Sequence, residues 1–371
     1  MQFTSFDEMK TWIIKSKKKK RIVIAGADEE EVMLAQMATE CGLAEFTLLG
    51  DAEKIQKLVA KYDKGNHANT DNAGSTGNSA KTMANNMANG TSMATTCKII
   101  GTSNDTESAR QAVALVKAGE ADIPMKGLIH TATFMRAVLN KETGLTPIRR
   151  ISQITIFENP ALTDIAHSDD STAHSNSEDG YLDAGNSNRA DAGNEYADNG
   201  LRYLTDCAIN VDTTSIAVKT DIIKNAVHLA QVYGTPCPRV ALLGAVETVS
   251  EKMPDTVQSA VLTQMNRRGQ IGGCIIDGPL SLDNAISAEA CARKGISSPI
   301  DGNADILVGS SLQESNTLSK SLHFYANFNT ASVIIGTIEP YIMTSRTDAI
   351  ENKINSIAAT CCYLMNRDNN Q

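Results

Sequence analysis

The chain has 371 residues, 42% of them hydrophobic, 21% charged and 4% aromatic, with a net charge of −9; this is a globular composition with length for two or three domains, and it excludes a collagen-like, coiled-coil or wholly disordered chain. No run approaches the ~20 consecutive apolar residues of a membrane span, and the N-terminal MQFTSFDEMKTWIIKSKKKK lacks the apolar centre of a signal peptide, so a cytoplasmic protein with no membrane partner is expected. Seven Asp and two Glu face Arg189 alone between Asp164 and Gly200, so the acidity belongs to one segment, and the nearly neutral remainder lacks the basic excess of a nucleic-acid binder.

Along the chain, apolar runs alternate with helical patterns. Residues 21–26 read as a strand, followed by a helix opened by Asp28 with Glu31 three residues later and stopped by Gly42. A strand is expected at 46–50, then a stretch at 65–97 rich in Asn, Gly, Ala and Ser, read as an insertion that cannot bury enough apolar surface to order itself. Strand 97–100, helix 105–118, strand Gly127–His130 and helix Thr131–Asn140 follow, and residues 162–202 read as a second insertion of the same kind. Beyond it come strand 240–243, a helix opened by Pro254 and closed near Gly269, and strand 274–276. The series continues with helix 287–293, strand 305–308, a helix from Asn316 and strand 333–335. Apolar strands separated by helices predict an α/β fold with a largely parallel sheet, in which ligands sit beyond the carboxyl ends of the strands.

Eight cysteines without a C-x-x-C pair read as reduced, mostly buried thiols. Three of the six histidines fall in the two insertions, so no metal site is expected. The dinucleotide, Walker, zincin and serine-hydrolase signatures are absent.

Four strand-end segments hold candidate chemistry. In 125–136, Lys126, His130, Thr131 and Thr133 surround the start of a helix whose free N–H groups, with Arg136, suit a phosphate or carboxylate. The alternative is that Thr131 only caps the helix and Arg136 is a solvated surface residue. Segment 243–254 is a polar loop of no fixed meaning, and in 276–285 Asp277 and Asp283 are acids or turn formers. In 343–351, Ser345, Arg346, Asp348 and Glu351 could orient a thiol, screen an oxyanion and take a proton, or simply open a helix.

The runs Asp122-Ile-Pro-Met-Lys-Gly127, Ala245-Val-Glu-Thr-Val249 with Lys252-Met-Pro254, Arg268-Gly-Gln-Ile-Gly-Gly273, Asp277-Gly-Pro-Leu280 with Leu282-Asp-Asn-Ala-Ile-Ser287, and Thr344-Ser-Arg346 with Asp348 resemble the phosphate acetyl/butyryl-transferase family, and the butyryl branch most. The resemblance covers nearly the whole chain outside the two insertions. It implies two α/β/α domains flanking a cleft, as in the isocitrate/isopropylmalate dehydrogenase architecture: 1–148 plus 333–371, and 149–332. It further implies a short-chain acyl transfer between coenzyme A and orthophosphate, with acyl-CoA and phosphate as substrates, no cofactor, and a homodimer or higher homo-oligomer. Carried onto this chain, it places Ser345 at the CoA sulfur and Arg346 at the carbonyl and phosphate oxygens. Arg136, Thr131 and Thr133 fall at phosphate, Asp348 or Glu351 is the base, and Asn316, Lys320 and Asp283 lie at CoA. Before Asn316 the family's Gly-containing turn reads Gln313-Glu314-Ser315 here, and Ser310-Ser311 replaces a Pro-Asp pair. Three rivals remain: an acyl-cysteine route through Cys97 or Cys274, a non-catalytic binding protein, and a dehydrogenase on a related architecture.

Overall fold

The computed structural model describes residues 2–63, 97–158 and 200–369. The expected insertions lie outside the described residues, apart from Cys97 and residues 200–202. The chain builds α1 (Phe6–Lys15), β1 (Lys20–Ala25), α2 (Glu29–Glu40), β2 (Ala44–Gly50), α3 (Ala52–Asp63), β3 (Lys98–Gly101), α4 (Asp105–Lys117), β4 (Ile123–Lys126) and α5 (Thr131–Val138). Next are β5 (Pro147–Glu158), β6 (Leu201–Thr205), α6 (Ile216–Val232), β7 (Arg239–Leu243), α7 (Pro254–Arg267) and β8 (Ile275–Leu280). They are followed by α8 (Leu282–Ile286), α9 (Ala288–Lys294), β9 (Ile306–Val308), α10 (Leu312–Phe324), β10 (Asn329–Thr337), β11 (Ile342–Met343) and α11 (Ile350–Asn369).

Two sheets organise these elements. The five-stranded sheet has the order β11-β4-β1-β2-β3 and is parallel throughout. The six-stranded sheet, β10-β5-β6-β9-β7-β8, is parallel from β6 to β8, while β5 runs antiparallel to both its neighbours. Alternation along β1 covers both faces of the first sheet: Ile22 and Ile24 enter one buried cluster, Val23 and Ala25 another. The first cluster also takes Ile154, Tyr203, Val240 and Val333 of the second sheet, together with Met9 and Ile13 of α1 and Ile354 and Ile357 of α11. The two sheets therefore share a core, with α1 and α11 packed into it, and the Tyr233 hydroxyl donates to the Ala359 carbonyl of α11 at 2.7 Å.

Several expectations shift in position. The strand expected at Gly127–His130 lies at Ile123–Lys126, and 127–130 form the turn after it, with Gly127 N–H donating to the Ala25 carbonyl at 2.9 Å and Leu128 N–H to that of Gly26 at 2.8 Å. Proline is tolerated inside β4 because β11 pairs only with Met125 and Lys126, leaving Pro124 without a neighbour on that side. Leu201 and Arg202 open β6 rather than ending a loop, since they pair with Glu158 and Phe157 of β5. Asp277 sits within β8, which runs on to Leu280. The helix expected from Asn316 starts at Leu312: Ser311 accepts from Glu314 N–H at 3.2 Å while the Glu314 carboxylate accepts from Ser310 N–H at 2.6 Å. The serine pair that departs from the family pattern thus supplies a helix cap. β10 belongs to the six-stranded sheet through Thr337, so the expected division between 332 and 333 falls inside a strand, and the chain re-enters the five-stranded sheet at β11.

The turn after β1 needs its glycine. Gly26 has φ +72°, and a Cβ there would stand 2.2 Å from Cγ2 of Ile129 in the turn after β4. Gly26→Ala is expected to cost about 2–4 kcal/mol, from left-handed strain plus overpacking. Urea unfolding checks it, and a change below 1 kcal/mol on the order of ordinary surface substitutions would show that the two turns are not in close contact.

Candidate active site

Because β11, β4 and β1 are adjacent and parallel, the segments that follow them emerge side by side at one edge of the five-stranded sheet. There a cavity of about 680 Å³ is lined by Lys126, His130, Thr131, Ala132, Thr133, Thr344, Ser345 and Arg346. Its lining combines two fixed cations, Lys126 and Arg346, with four hydroxyls and carries no carboxylate. That composition suits an anion rich in oxygen, such as phosphate.

The α5 end of the cavity comes from a sharp entry into a short helix. His130 is the N-cap, in an extended conformation, and makes no side-chain cap hydrogen bond. Thr131 is therefore the first helical residue and not the cap, and it lines the cavity with Thr133. The N–H groups of this first turn add partial positive charge on the same side. Arg136 lies in the last turn of α5, is exposed, and is not among the lining side chains.

Lys126, the last residue of β4, is buried and donates from Nζ to the Gly127 carbonyl at 3.0 Å. Burial, reinforced by the Arg346 guanidinium, holds its ammonium below the ordinary lysine value, while Glu31 pulls the other way. A lysine in that state is sensitive to any further negative charge brought into the cavity.

The β11 side is a tight turn. Asp348 accepts from the Ser345 N–H at 2.8 Å and its own N–H donates to the Ser345 carbonyl at 3.2 Å, so carboxylate and serine face each other across the turn. The Ser345 hydroxyl stands 3.0 Å from that of Thr347. Glu351 is turned elsewhere: it accepts from Lys10 Nζ of α1 at 2.8 Å, and that lysine side chain is only 7% exposed. Ser345, Arg346, Lys126, His130, Thr131 and Thr133 are thus brought together around the cavity with Asp348 beside them, whereas Glu351 faces α1.

The residues expected at CoA belong to the six-stranded sheet and its helices, and none lines this cavity. Asn316 donates to the Cys207 carbonyl at 2.9 Å, and Lys320 Nζ lies 5.9 Å from the centre of the Phe324 ring. Asp283 pairs with Lys294 at 2.9 Å and accepts from the Ser281 hydroxyl, and the Ser281 bond with the lysine holds its carboxyl below the usual range. Glu247, from the Ala-Val-Glu-Thr-Val run, lies 2.5 Å from the same Ser281 hydroxyl and accepts from Asn284 at 2.7 Å and Lys294 at 3.1 Å. The second and third strand-end segments are therefore one polar cluster at the carboxyl ends of β7 and β8.

Sequence reasoning passed over Thr344 and Ala132 as lining residues, although both stand next to residues it had singled out. Cys97 and Cys274 lie outside the cavity lining, and burial pushes their thiols up to about 12 and about 11, away from the reactive thiolate that an acyl-cysteine route requires. Among the described residues no group of three His, Cys, Asp or Glu is placed to hold a metal ion, and no helix is long and apolar enough to cross a membrane.

Residues 8–361 match the phosphate acetyl/butaryl transferase family. The chain is 34% identical over 346 residues to a probable phosphate butyryltransferase of Bacillus subtilis, covering 93% of each protein. It is 32% identical over 355 residues to a phosphate butyryltransferase of Clostridium acetobutylicum, covering 95% of this chain and 96% of that one. Among solved structures it resembles a branched-chain phosphotransacylase from Enterococcus faecalis V583 with a TM-score of 0.67 and 27% identity, over 93% of this chain and 99% of the other. With the fold, the motifs and near full-length similarity in agreement, the chain belongs to the phosphate acetyl/butaryl transferase family.

Proposed function

We propose that the protein moves a short-chain acyl group between coenzyme A and orthophosphate, butyryl-CoA and phosphate giving butyryl phosphate and CoA. The observation that carries this reading is the cavity in which Lys126 and Arg346 meet four hydroxyls beside the Ser345–Asp348 turn. In the CoA-consuming direction the thiol gives its proton to Asp348 and the sulfur attacks the acyl-phosphate carbonyl. The bond between the acyl carbon and the bridging oxygen then breaks, and phosphate departs with that oxygen and the electron pair. Ser345 orients the thiol, Arg346 stabilises the oxyanion, and Lys126, Thr131 and Thr133 hold phosphate. Asp348 is preferred to Glu351 as base because Glu351 is already committed to Lys10.

A free thiol has a pKa of about 8.5, so a positioned carboxylate is what makes the thiolate available near neutrality. Two substrates held in one site supply much of the remaining advantage through orientation. The route needs no metal and no redox cofactor, and CoA enters as substrate. The reading places the enzyme in the cytoplasm, as a homo-oligomer in which Asn316, Lys320 and Asp283 lie toward the body of CoA and Arg136 at the outer edge of the phosphate site.

Release of free CoA from acetyl- through hexanoyl-CoA, with and without phosphate, tests the reading. Phosphate-dependent release with a maximum at the four-carbon chain is expected. Release that ignores phosphate would mean thioester hydrolysis, and a maximum at the acetyl group would move the enzyme to the acetyl branch.

A further inference from the structure

Three consecutive residues at the start of α11 reach into three different parts of the molecule. Glu351 is bonded to Lys10 of α1. Asn352 accepts from Thr330 N–H of β10 at 3.0 Å and stands 3.0 Å from Nδ1 of His323 on α10. Lys353 Nζ meets Glu30 of α2 at 2.5 Å, with the lysine side chain 4% exposed and the glutamate 44%.

The last of these pairs has a particular place in the sheet. α11 follows β11, α2 follows β1, and β4 lies between those two strands. The Lys353–Glu30 pair therefore spans the carboxyl end of β4, where Lys126 lines the cavity. Arg346, Glu31 and Lys353 are the charges that act on Lys126. A pair between a buried lysine and a half-exposed glutamate is a poor device for stability, because the lysine's loss of hydration offsets much of the attraction. Charge-assisted bonds of this kind do fix a short distance between two elements.

We propose that Lys353 is a positioning residue for acyl transfer: through Glu30 it ties the segment carrying Ser345 and Arg346 to the segment after β1, across β4, and so sets the width of the phosphate end of the cavity. Lys353 touches neither substrate. It acts by holding Arg346 and Lys126 at one separation, which the transferring phosphate needs and the body of CoA does not. The proposal rests on the acyl-transfer reading, and the test separates the two.

The full-length protein is assayed for kcat and for separate KM values toward butyryl-CoA and phosphate, with thermal melting to normalise for folded enzyme. Lys353→Met is expected to lower kcat about 10–100-fold, the loss that follows a displacement near 1 Å. The phosphate KM rises several-fold while the acyl-CoA KM stays within about twofold, a split that goes with loss at one end of the cavity. Glu30→Gln, at a half-exposed position, shifts the same parameters in the same direction by less, and Lys353→Arg recovers most of the activity because its guanidinium can still reach Glu30. Unchanged kinetics per folded molecule in Glu30→Gln, with or without a folded Lys353→Met, would overturn the proposal and reduce the pair to scaffolding. Equal damage to both KM values would overturn it too. An inactive wild type would instead remove the acyl-transfer reading, and the proposal with it.

Discussion

Arg346→Ala is expected to lower kcat by about 10²–10³-fold, the cost of removing one donor aimed at a developing oxyanion. Arg346, in the turn after β11, lines the cavity together with Lys126, and the two charges act on each other. In the transition state the carbonyl oxygen gains charge while phosphate begins to leave, so a cation there stabilises the transition state more than the ground state. The loss should fall on kcat more than on the acyl-CoA KM. Arg346→Lys should restore only part of it, since an ammonium supplies charge without the planar pair of donors. Steady-state kinetics in both directions checks the result. A tenfold or smaller effect on the order of one weak hydrogen bond, confined to KM, would make Arg346 a binding residue only.

Asp348→Asn and Glu351→Gln should behave as opposites. If Asp348 takes the thiol proton, its amide variant loses about 10²–10⁴-fold in kcat and with it the acidic limb of the pH profile, because no carboxylate remains to be silenced by protonation. Glu351→Gln keeps that limb and nearly full turnover. Its cost is in stability, about 1–3 kcal/mol, between the values for exposed and fully buried pairs, because among the described residues the buried Lys10 keeps only Asp7, at 3.2 Å, as an ion-pair partner. Thermal melting and pH profiles of the two variants give the comparison. An Asp348→Asn enzyme that keeps its acidic limb would place the base elsewhere.

The local signals in the chain were good guides where one element explains itself. Asp28 and Glu31 form the capping box their spacing predicts, and the alternation of apolar runs with helices led to α/β sheets, with a cavity at the carboxyl ends of β4 and β11. β4 was misplaced because its position is fixed by pairing with β1 and β11, strands remote in the chain, and Pro124 is harmless there since β11 pairs only with Met125 and Lys126. Glu351 and Asp348 could not be told apart by spacing, because what distinguishes them is Lys10, 341 residues away from Glu351 in the chain. Lys353 drew no notice for the same reason: its partner Glu30 lies 323 residues earlier. Charges that pair across elements leave no periodic trace, so the cluster around Lys126 became visible only when α2, β4 and α11 were placed together. The strands β5 and β6 were also hidden: they pair antiparallel across a stretch of chain that lies outside the described residues, and no helical pattern marks where one ends and the other begins.

The most direct measurement of the account is the stoichiometry of a single reaction mixture. Wild-type protein with butyryl-CoA and inorganic phosphate, followed by phosphorus NMR for the acyl phosphate and by a thiol reagent for CoA, should form one butyryl phosphate for each CoA released, and Arg346→Ala should suppress both signals together. CoA released without acyl phosphate, or equal signals from wild type and Arg346→Ala, would contradict a direct transfer at the turn after β11.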